Sequence, residues 1–238
     1  MAFSRPRSIR WQTVMLAVLL VAASAYNVHV VAYRHAPGCP AYRPTAGLAL
    51  IAHGGGGMSD RLYPNNIAAL DRSYAHGLRI FEMDFHELGF GIIRTGHDTS
   101  DLFDPRGAWM SGILAWFRRH PDTRLITDMK TDNVQALTSV AAEAPDLRDR
   151  IMPFIYQESE YAAVRALGFR PPIFLIQRND THDWHSFANS HRFSAIALPY
   201  QRAQEADLAR APVVLYTLDT RPTAPRIAGV ITNCLVPR

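Results

Sequence analysis

The 238-residue sequence predicts an α/β fold: a small (β/α)8 TIM-type barrel preceded by an N-terminal hydrophobic targeting helix. Three observations lead there. From Leu48 onward, short apolar runs alternate with longer segments of helical spacing, the mark of βαβ units on a parallel sheet. About eight such strands follow residue 47, the number that closes a barrel. The chain is 48% hydrophobic and 19% charged, which supplies one sizeable core and leaves no low-complexity tract. Residues 48–238 span roughly 190 positions, just below the usual size of such a barrel, so the helices must be short. A doubly wound open sheet is the competing architecture, and it usually opens its first helix on a phosphate-binding glycine fingerprint. His53-Gly54-Gly55-Gly56-Gly57 fits neither that fingerprint nor a P-loop, which ends in Gly-Lys-Ser/Thr.

The elements follow in order. Residues 48–52 form a short apolar strand stopped by the glycine cluster, and residues 66–76 have helical spacing closed by Gly77. Residues 79–86 alternate strictly and read as a strand, followed by another at 91–95. Helices at 109–119, 133–143 and 158–167 separate strands at 124–130, 151–156 and 173–177. Strands at 194–198, 213–218 and 229–232 complete the series, with a helix at 203–210. Trp109, Trp116 and Phe117 read as helix packing.

The first 33 residues read as a signal peptide or signal anchor. Arg5, Arg7 and Arg10 precede an apolar run from Val14 to Ala23, and Ala23-Ser24-Ala25 offers a cleavage pattern before Tyr26. The run is short against the roughly 20 residues of a membrane span, although weaker apolar character continues to Ala32. Cleavage and retention as an anchor both remain open. Both export the domain to the periplasmic or extracellular side, with the basic flank cytoplasmic; a buried core helix is the plain alternative. Residues 34–47, with three prolines and two glycines, read as a linker. The net charge of +4 owes three units to the N-terminal arginines, and the remaining 22 basic and 21 acidic residues nearly cancel. No basic stripe with interleaved aromatics remains, so a nucleic-acid partner is not expected. Cys39 and Cys234 are the two cysteines of the chain, and in an exported protein they either bridge the termini or stay free.

The chemistry concentrates on strand ends. In Phe81-Glu82-Met83-Asp84-Phe85-His86 the alternation puts three apolar residues on one face and Glu82, Asp84 and His86 on the other. In a barrel the acidic face points inward, where two carboxylates need a compensating cation. Oxygen ligands suit Mg²⁺ or Ca²⁺; an acidic edge strand facing water is the plain alternative. Ile126, Asp128 and Lys130 repeat the device, with Asp128 a third metal ligand and Lys130 a charge for a phosphoryl oxygen. A solvated Asp and Lys at a strand end is the alternative there. His53 follows the first strand and His97 ends the third, and two histidines can share acid and base work near neutral pH. Thr181-His182-Asp183-Trp184-His185 reads as a polar loop at the barrel mouth rather than a second metal site. Neither a G-x-S-x-G elbow nor an H-E-x-x-H zinc signature is present, which disfavours a serine hydrolase and a zinc protease.

Taken in order, Ile51-Ala52-His53-Gly54-Gly55, Pro64-Asn65-Asn66, Phe81-Glu82-Met83-Asp84, Gly96-His97-Asp98, Asp128-Met129-Lys130 and Gly229-Val230-Ile231-Thr232-Asn233 form a set. It resembles the glycerophosphodiester phosphodiesterase family, of the phosphatidylinositol-specific phospholipase C-like superfamily, as a divergent exported member. Leu215-Tyr216-Thr217-Leu218-Asp219 looks like the family's late strand. The resemblance implies a barrel phosphodiesterase with His53 and His97 as acid and base and Lys130 near the phosphate. It also implies a divalent cation, Mg²⁺ or Ca²⁺, on Glu82, Asp84 and Asp128. The implied substrate is a glycerophosphodiester or a related phospholipid-derived phosphodiester, with the membrane as partner through the N-terminal segment. The sequence departs from the family in three places. Gly54 stands where an arginine usually follows the first histidine, Asn65 replaces a glutamate, and Asp128 replaces a longer Glu. Phospholipases C and D share the barrel, so the leaving group stays open. A barrel kept as a membrane-tethered binding or scaffold protein is the alternative that these losses motivate.

Overall fold

A computed structural model describes residues 14–21, 47–58 and 62–234. The chain divides into an N-terminal unit, Met1–His35, and a second unit, Ala36–Arg238. In the first, residues 14–21 form a helix with exposed side chains. Among the described residues no helix is long and apolar enough to cross a membrane. The arginine flank, the Ala23-Ser24-Ala25 pattern, most of the 34–47 linker and Cys39 lie outside the described residues. Cys234 is buried and disulfide-bonded.

The second unit is an eight-stranded parallel barrel. Its strands are β1 (Ala49–Ala52), β2 (Ile80–Glu87), β4 (Arg124–Met129), β5 (Ile151–Ile155), β6 (Ile173–Leu175), β7 (Ala195–Pro199), β8 (Val213–Tyr216) and β9 (Ile227–Thr232). β1 pairs in parallel with both β9 and β2, which closes the ring. The remaining strand, β3 (Ile93–Thr95), lies outside the ring as an antiparallel hairpin partner of β2. The sequence rhythm does not reveal this, because a three-residue strand has the same signature in a hairpin as in a barrel. His97 therefore follows a hairpin strand and not, as expected, a barrel strand.

Helices α1 (Ile67–Ala75), α2 (Met110–Arg119), α3 (Asn133–Glu143), α4 (Glu160–Ala166) and α5 (Trp184–Ser190) cover the outside, and all are short, as the chain length requires. Asn66 caps α1 through Ala69 N at 2.9 Å, and Asp132 caps α3 through Gln135 N at 2.9 Å. The helix expected at 203–210 is a 3₁₀ segment, Tyr200–Leu208. The segment expected to be a polar mouth loop instead enters α5, because Trp184 is buried and anchors that helix to the core.

Two apolar clusters reflect the alternation of the strands. Phe81, Met83 and Phe85 face outward into the helical layer, where Trp116 meets the Phe81 ring edge-on at 5.3 Å. Ile51, Ile126, Met152, Phe154, Ile173, Leu175, Ala195, Ala197, Val214 and Ile231 fill the barrel interior. Each inward row continues, two residues further on, to the C-terminal mouth.

Candidate active site

The mouth is assembled from those last inward positions. His53, Glu82, Asp84, His97, Asp128, Lys130, Tyr156 and Tyr216 line one cavity of about 540 Å³ at the C-terminal ends of the strands. All six residues singled out from the sequence are therefore brought together. β2 and β4 pair in register Asp84↔Asp128, which sets the two carboxylates side by side.

Glu82, Asp84 and Asp128 are buried, and each offers an oxygen within 4.8 Å of the others. Lys130 Nζ lies 2.8 Å from Asp84 Oδ1 and 2.8 Å from Asp128 Oδ2. Only the second contact has hydrogen-bond alignment, so Asp84 Oδ1 is a buried carboxylate oxygen without a hydrogen bond. Three buried carboxylates clustered around a single ammonium, with oxygen atoms as their only donors, fit a divalent cation held by Glu82, Asp84 and Asp128. Three further oxygens are held in place: Tyr156 Oη donates to Asp128 Oδ1 at 2.6 Å, Asn65 Nδ2 to Asp84 Oδ2 at 2.7 Å, and Gly54 N to Glu82 Oε2 at 3.0 Å. Asp84 N donates back to Asn65 Oδ1 at 3.0 Å, a reciprocal clamp that holds the strand end.

The charges respond to one another. Burial, reinforced by Asp84 and Asp128, pushes Glu82 well above the usual carboxylate range. Burial also opposes the charge on Asp84, but Lys130 and then the two histidines hold that carboxyl below its usual value. Burial works against the Lys130 ammonium as well, yet Asp84 and Asp128 more than offset it, so its pKa rises. Burial and then Asp128 raise the Tyr156 phenol, which keeps its proton as a donor. Tyr216 is pushed up to about 12, mainly by burial.

Both histidines pack against the Tyr63 ring, with centroids 5.2 Å away for His53 and 4.9 Å for His97. His53 Nε2 is 3.9 Å from Glu82 Oε2. Burial lowers the pKa of His53, against the pull of Asp84 and of a hydrogen bond to the Asn233 amide oxygen. His97 is more exposed, and its Nδ1 lies 3.0 Å from Asp98 Oδ1. A separate framework holds its loop: Asp101 Oδ2 accepts from His97 N and Asp98 N, Gly96 N donates to Asp84 O, and His86 Nε2 sits 3.3 Å from His97 O. A side chain at Gly96 would bring Cβ to 2.8 Å from Asp101 Cβ, which explains the glycine.

Among solved structures, the fold is similar to a glycerophosphodiester phosphodiesterase from Thermotoga maritima, at 17% identity and a TM-score of 0.64 over 80% of this chain and 96% of that one. One from Parabacteroides distasonis is 14% identical, with a TM-score of 0.60 over 81% and 95% of the chains. A phosphodiesterase from Oleispira antarctica, solved with its product sn-glycerol-3-phosphate, is 12% identical, with a TM-score of 0.58 over 78% and 92%. No model of a protein family and no curated protein matches the sequence.

The fold is that of the glycerophosphodiester phosphodiesterases. Within this phosphodiesterase fold the departure at Gly54 has a steric cause. Gly54 has φ +56, and a Cβ there would meet Tyr63 Cβ at 2.5 Å and Cα at 2.6 Å, so Tyr63 occupies the space an arginine would need. Asn65 replaces a carboxylate and becomes the clamp on Asp84. Sequence reasoning missed Tyr63, Tyr156, Gln177, Arg178 and Tyr216. For Tyr156, Gln177 and Tyr216 a signal existed, because each lies two residues beyond an interior apolar residue of its strand. Arg178 also lines the cavity and makes no ion pair with a described residue. The His182 and His185 cluster stays apart: His182 contacts Glu158 at 2.8 Å, His185 contacts Asp183 at 2.7 Å, and both are exposed.

Proposed function

We propose that this chain is a metal-dependent phosphoric diester hydrolase acting on a glycerophosphodiester or a related phospholipid-derived phosphodiester. The observation that carries this reading is the buried Glu82–Asp84–Asp128 cluster, set between two histidines at the mouth of this barrel. A divalent cation bound there, Mg²⁺ or Ca²⁺, would neutralise a non-bridging phosphoryl oxygen and orient the nucleophile. His53 and His97 exchange protons with the nucleophile and the leaving oxygen. Lys130 keeps its charge beside the phosphate and balances the carboxylates. Arg178 supplies the mobile cation for the phosphate, because position 54 cannot carry one.

The product seen in the Oleispira antarctica structure, sn-glycerol-3-phosphate, is the product expected here when the leaving group is a small alcohol. The N-terminal segment exports the domain and attaches it to the membrane or is cleaved. Exposed Leu88, Phe90 and Ile92, at the tip of the β2–β3 hairpin, suit contact with lipid beyond the mouth.

The test is turnover of glycerophosphocholine, glycerophosphoethanolamine and lysophospholipids by the purified chain, with Mg²⁺, Ca²⁺ or chelator. Metal-dependent release of sn-glycerol-3-phosphate from the glycerophosphodiesters, or of lysophosphatidate from the lysophospholipids, supports the reading. No turnover, together with no metal binding by calorimetry, replaces it with the scaffold alternative.

A further inference from the structure

The opposite end of the barrel holds a second cavity of about 320 Å³, which has no part in the chemistry above. It originates in the lowest layer of the interior. β1 and β9 pair in register Ala49↔Gly229 and Ile51↔Ile231, so Ala49 and Gly229 stand on the inward rows, two residues before the interior isoleucines. Ala195 faces inward from β7. Barrel layers are ordinarily filled by bulky branched side chains. Here two methyl groups and a hydrogen leave the bottom of the interior open. Ile126, Met152 and Ile173 line this well, whereas Phe154, Leu175 and Ile231 line the mouth, so the two spaces are separate.

Three arginines border the well: Arg124, Arg170 and Arg192. Ser194 Oγ donates to Pro171 O at 2.6 Å and Ser194 N to Pro172 O at 2.9 Å, which joins the segments that carry Arg170 and Arg192. Tyr161 Oη donates to Arg192 O and accepts from Arg192 N, both at 3.1 Å. None of the three guanidinium groups makes an ion pair with a described residue. Arg170 Nη1 reaches only Asp149 O, at 3.5 Å, and its Nε is buried without an acceptor from the protein. Asp122, close to Arg124 in the sequence, is taken by Arg79 at 2.6 Å. Residues 1–46 hold no Asp or Glu, so the segment leading into β1 brings no carboxylate side chain to these charges.

Like charges gathered at one rim repel until an anion joins them, and the guanidinium fork matches a carboxylate or a phosphate. The apolar walls between them suit an alkyl chain, and the volume lies at the lower end for ligand cavities, which favours a short one. We infer that the N-terminal end of the barrel is a binding site for a single-chain anionic amphiphile. Its head group, a carboxylate or a phosphate, sits on Arg124, Arg170 and Arg192, and its tail enters the well beside Ala49 and Ala195. The site does not depend on the phosphodiesterase reading, because it shares no residue with the mouth.

The experiment is calorimetric titration of the metal-free full chain with decanoate, decyl phosphate, decanol and inorganic phosphate, each amphiphile below its micellar concentration. Decanoate or decyl phosphate is expected to bind at a single site, about tenfold or more tighter than decanol or inorganic phosphate, because only these two carry both head and tail. The tighter of the two names the head group. Arg170→Gln and Arg192→Gln should each weaken that binding about tenfold, the worth of one charge-assisted hydrogen bond. Ala49→Leu fills the well and should weaken the alkyl anions by a similar factor. Glu82→Ala, at the other end of the barrel, should leave decanoate binding as in the wild type. Thermal unfolding of each variant checks the fold. Arg192 is exposed, so Arg192→Gln is expected to keep the wild-type Tm and carries the test even if Ala49→Leu does not fold. Equal affinity for decanol and decanoate, or binding that neither arginine variant weakens, overturns the site. Binding lost in Glu82→Ala overturns it too, by placing the amphiphile at the mouth.

Discussion

The two halves of the barrel mouth differ in kind. On the side of β1, β2 and β4 the inward positions are His53, Glu82, Asp84, Asp128 and Lys130, all ionisable, with the three carboxylates buried and the other two half-buried. On the side of β5, β6 and β8 they are Phe154, Tyr156, Leu175, Gln177 and Tyr216, neutral groups of large surface. The first half concentrates charge that water does not stabilise, so each group depends on its neighbour. The second half can shape and wall the cavity at little electrostatic cost. Changes in the charged half should therefore reach both activity and stability, whereas changes across the cavity should act on substrate binding.

The largest expected effect is removal of the metal centre. Glu82→Ala, or chelation of the wild type, removes several kcal/mol of transition-state stabilisation, a loss of turnover on the order of 10³. Steady-state assays with added Mg²⁺ or Ca²⁺ check it, and a Glu82→Ala enzyme within about tenfold of wild type would refute the ligand assignment.

Next comes Lys130→Met, which leaves Asp84 and Asp128 buried without their ammonium. Breaking a buried pair costs about 3–5 kcal/mol. The metal-free variant should lose about that much stability in urea titration, and divalent cation should restore most of it. Equal stability of variant and wild type in chelator would show that the ammonium does not balance the pair.

A pH effect should follow from Glu82. Its carboxyl is raised in the metal-free protein, so lowering the pH protonates a ligand that the cation needs deprotonated. Apparent affinity should therefore rise with pH, and binding should release protons. Calorimetry between about pH 5.5 and about pH 8, in buffers of different ionisation enthalpy, reads both. An affinity that does not change across that range would contradict the raised carboxyl.

The smallest effect lies across the cavity, where Arg178 stands beside the neutral groups. Arg178→Ala is expected to raise KM about tenfold with little change in kcat, the mark of lost uniform binding. A fall in kcat at constant KM would instead place Arg178 in the transition state.

Legibility in the sequence followed the same division. The charged half was readable because Glu82, Asp84, Asp128 and Lys130 sit on strictly alternating strands, where a carboxylate on an inward face stands out against Val, Ile and Phe. Tyr156 and Tyr216 lie on the same inward rows, so the alternation reached them, but an aromatic residue there stands out far less than a carboxylate. Asn233 was visible only as a member of a family-like segment. Its contact with His53 needs β9 to return beside β1.

The sequence by itself determined the succession of strands and helices, the inward and outward faces of the strands and the carboxylates and lysine of the mouth, because period-2 alternation is a local property. Only the tertiary structure decided which strand closes the ring and which is a hairpin. Only packing showed that Tyr63 excludes a side chain at Gly54, and that Asn233, late in the chain, hydrogen-bonds His53. Those are contacts across 9 residues in one case and 180 in the other, and a local pattern carries no information about such separations.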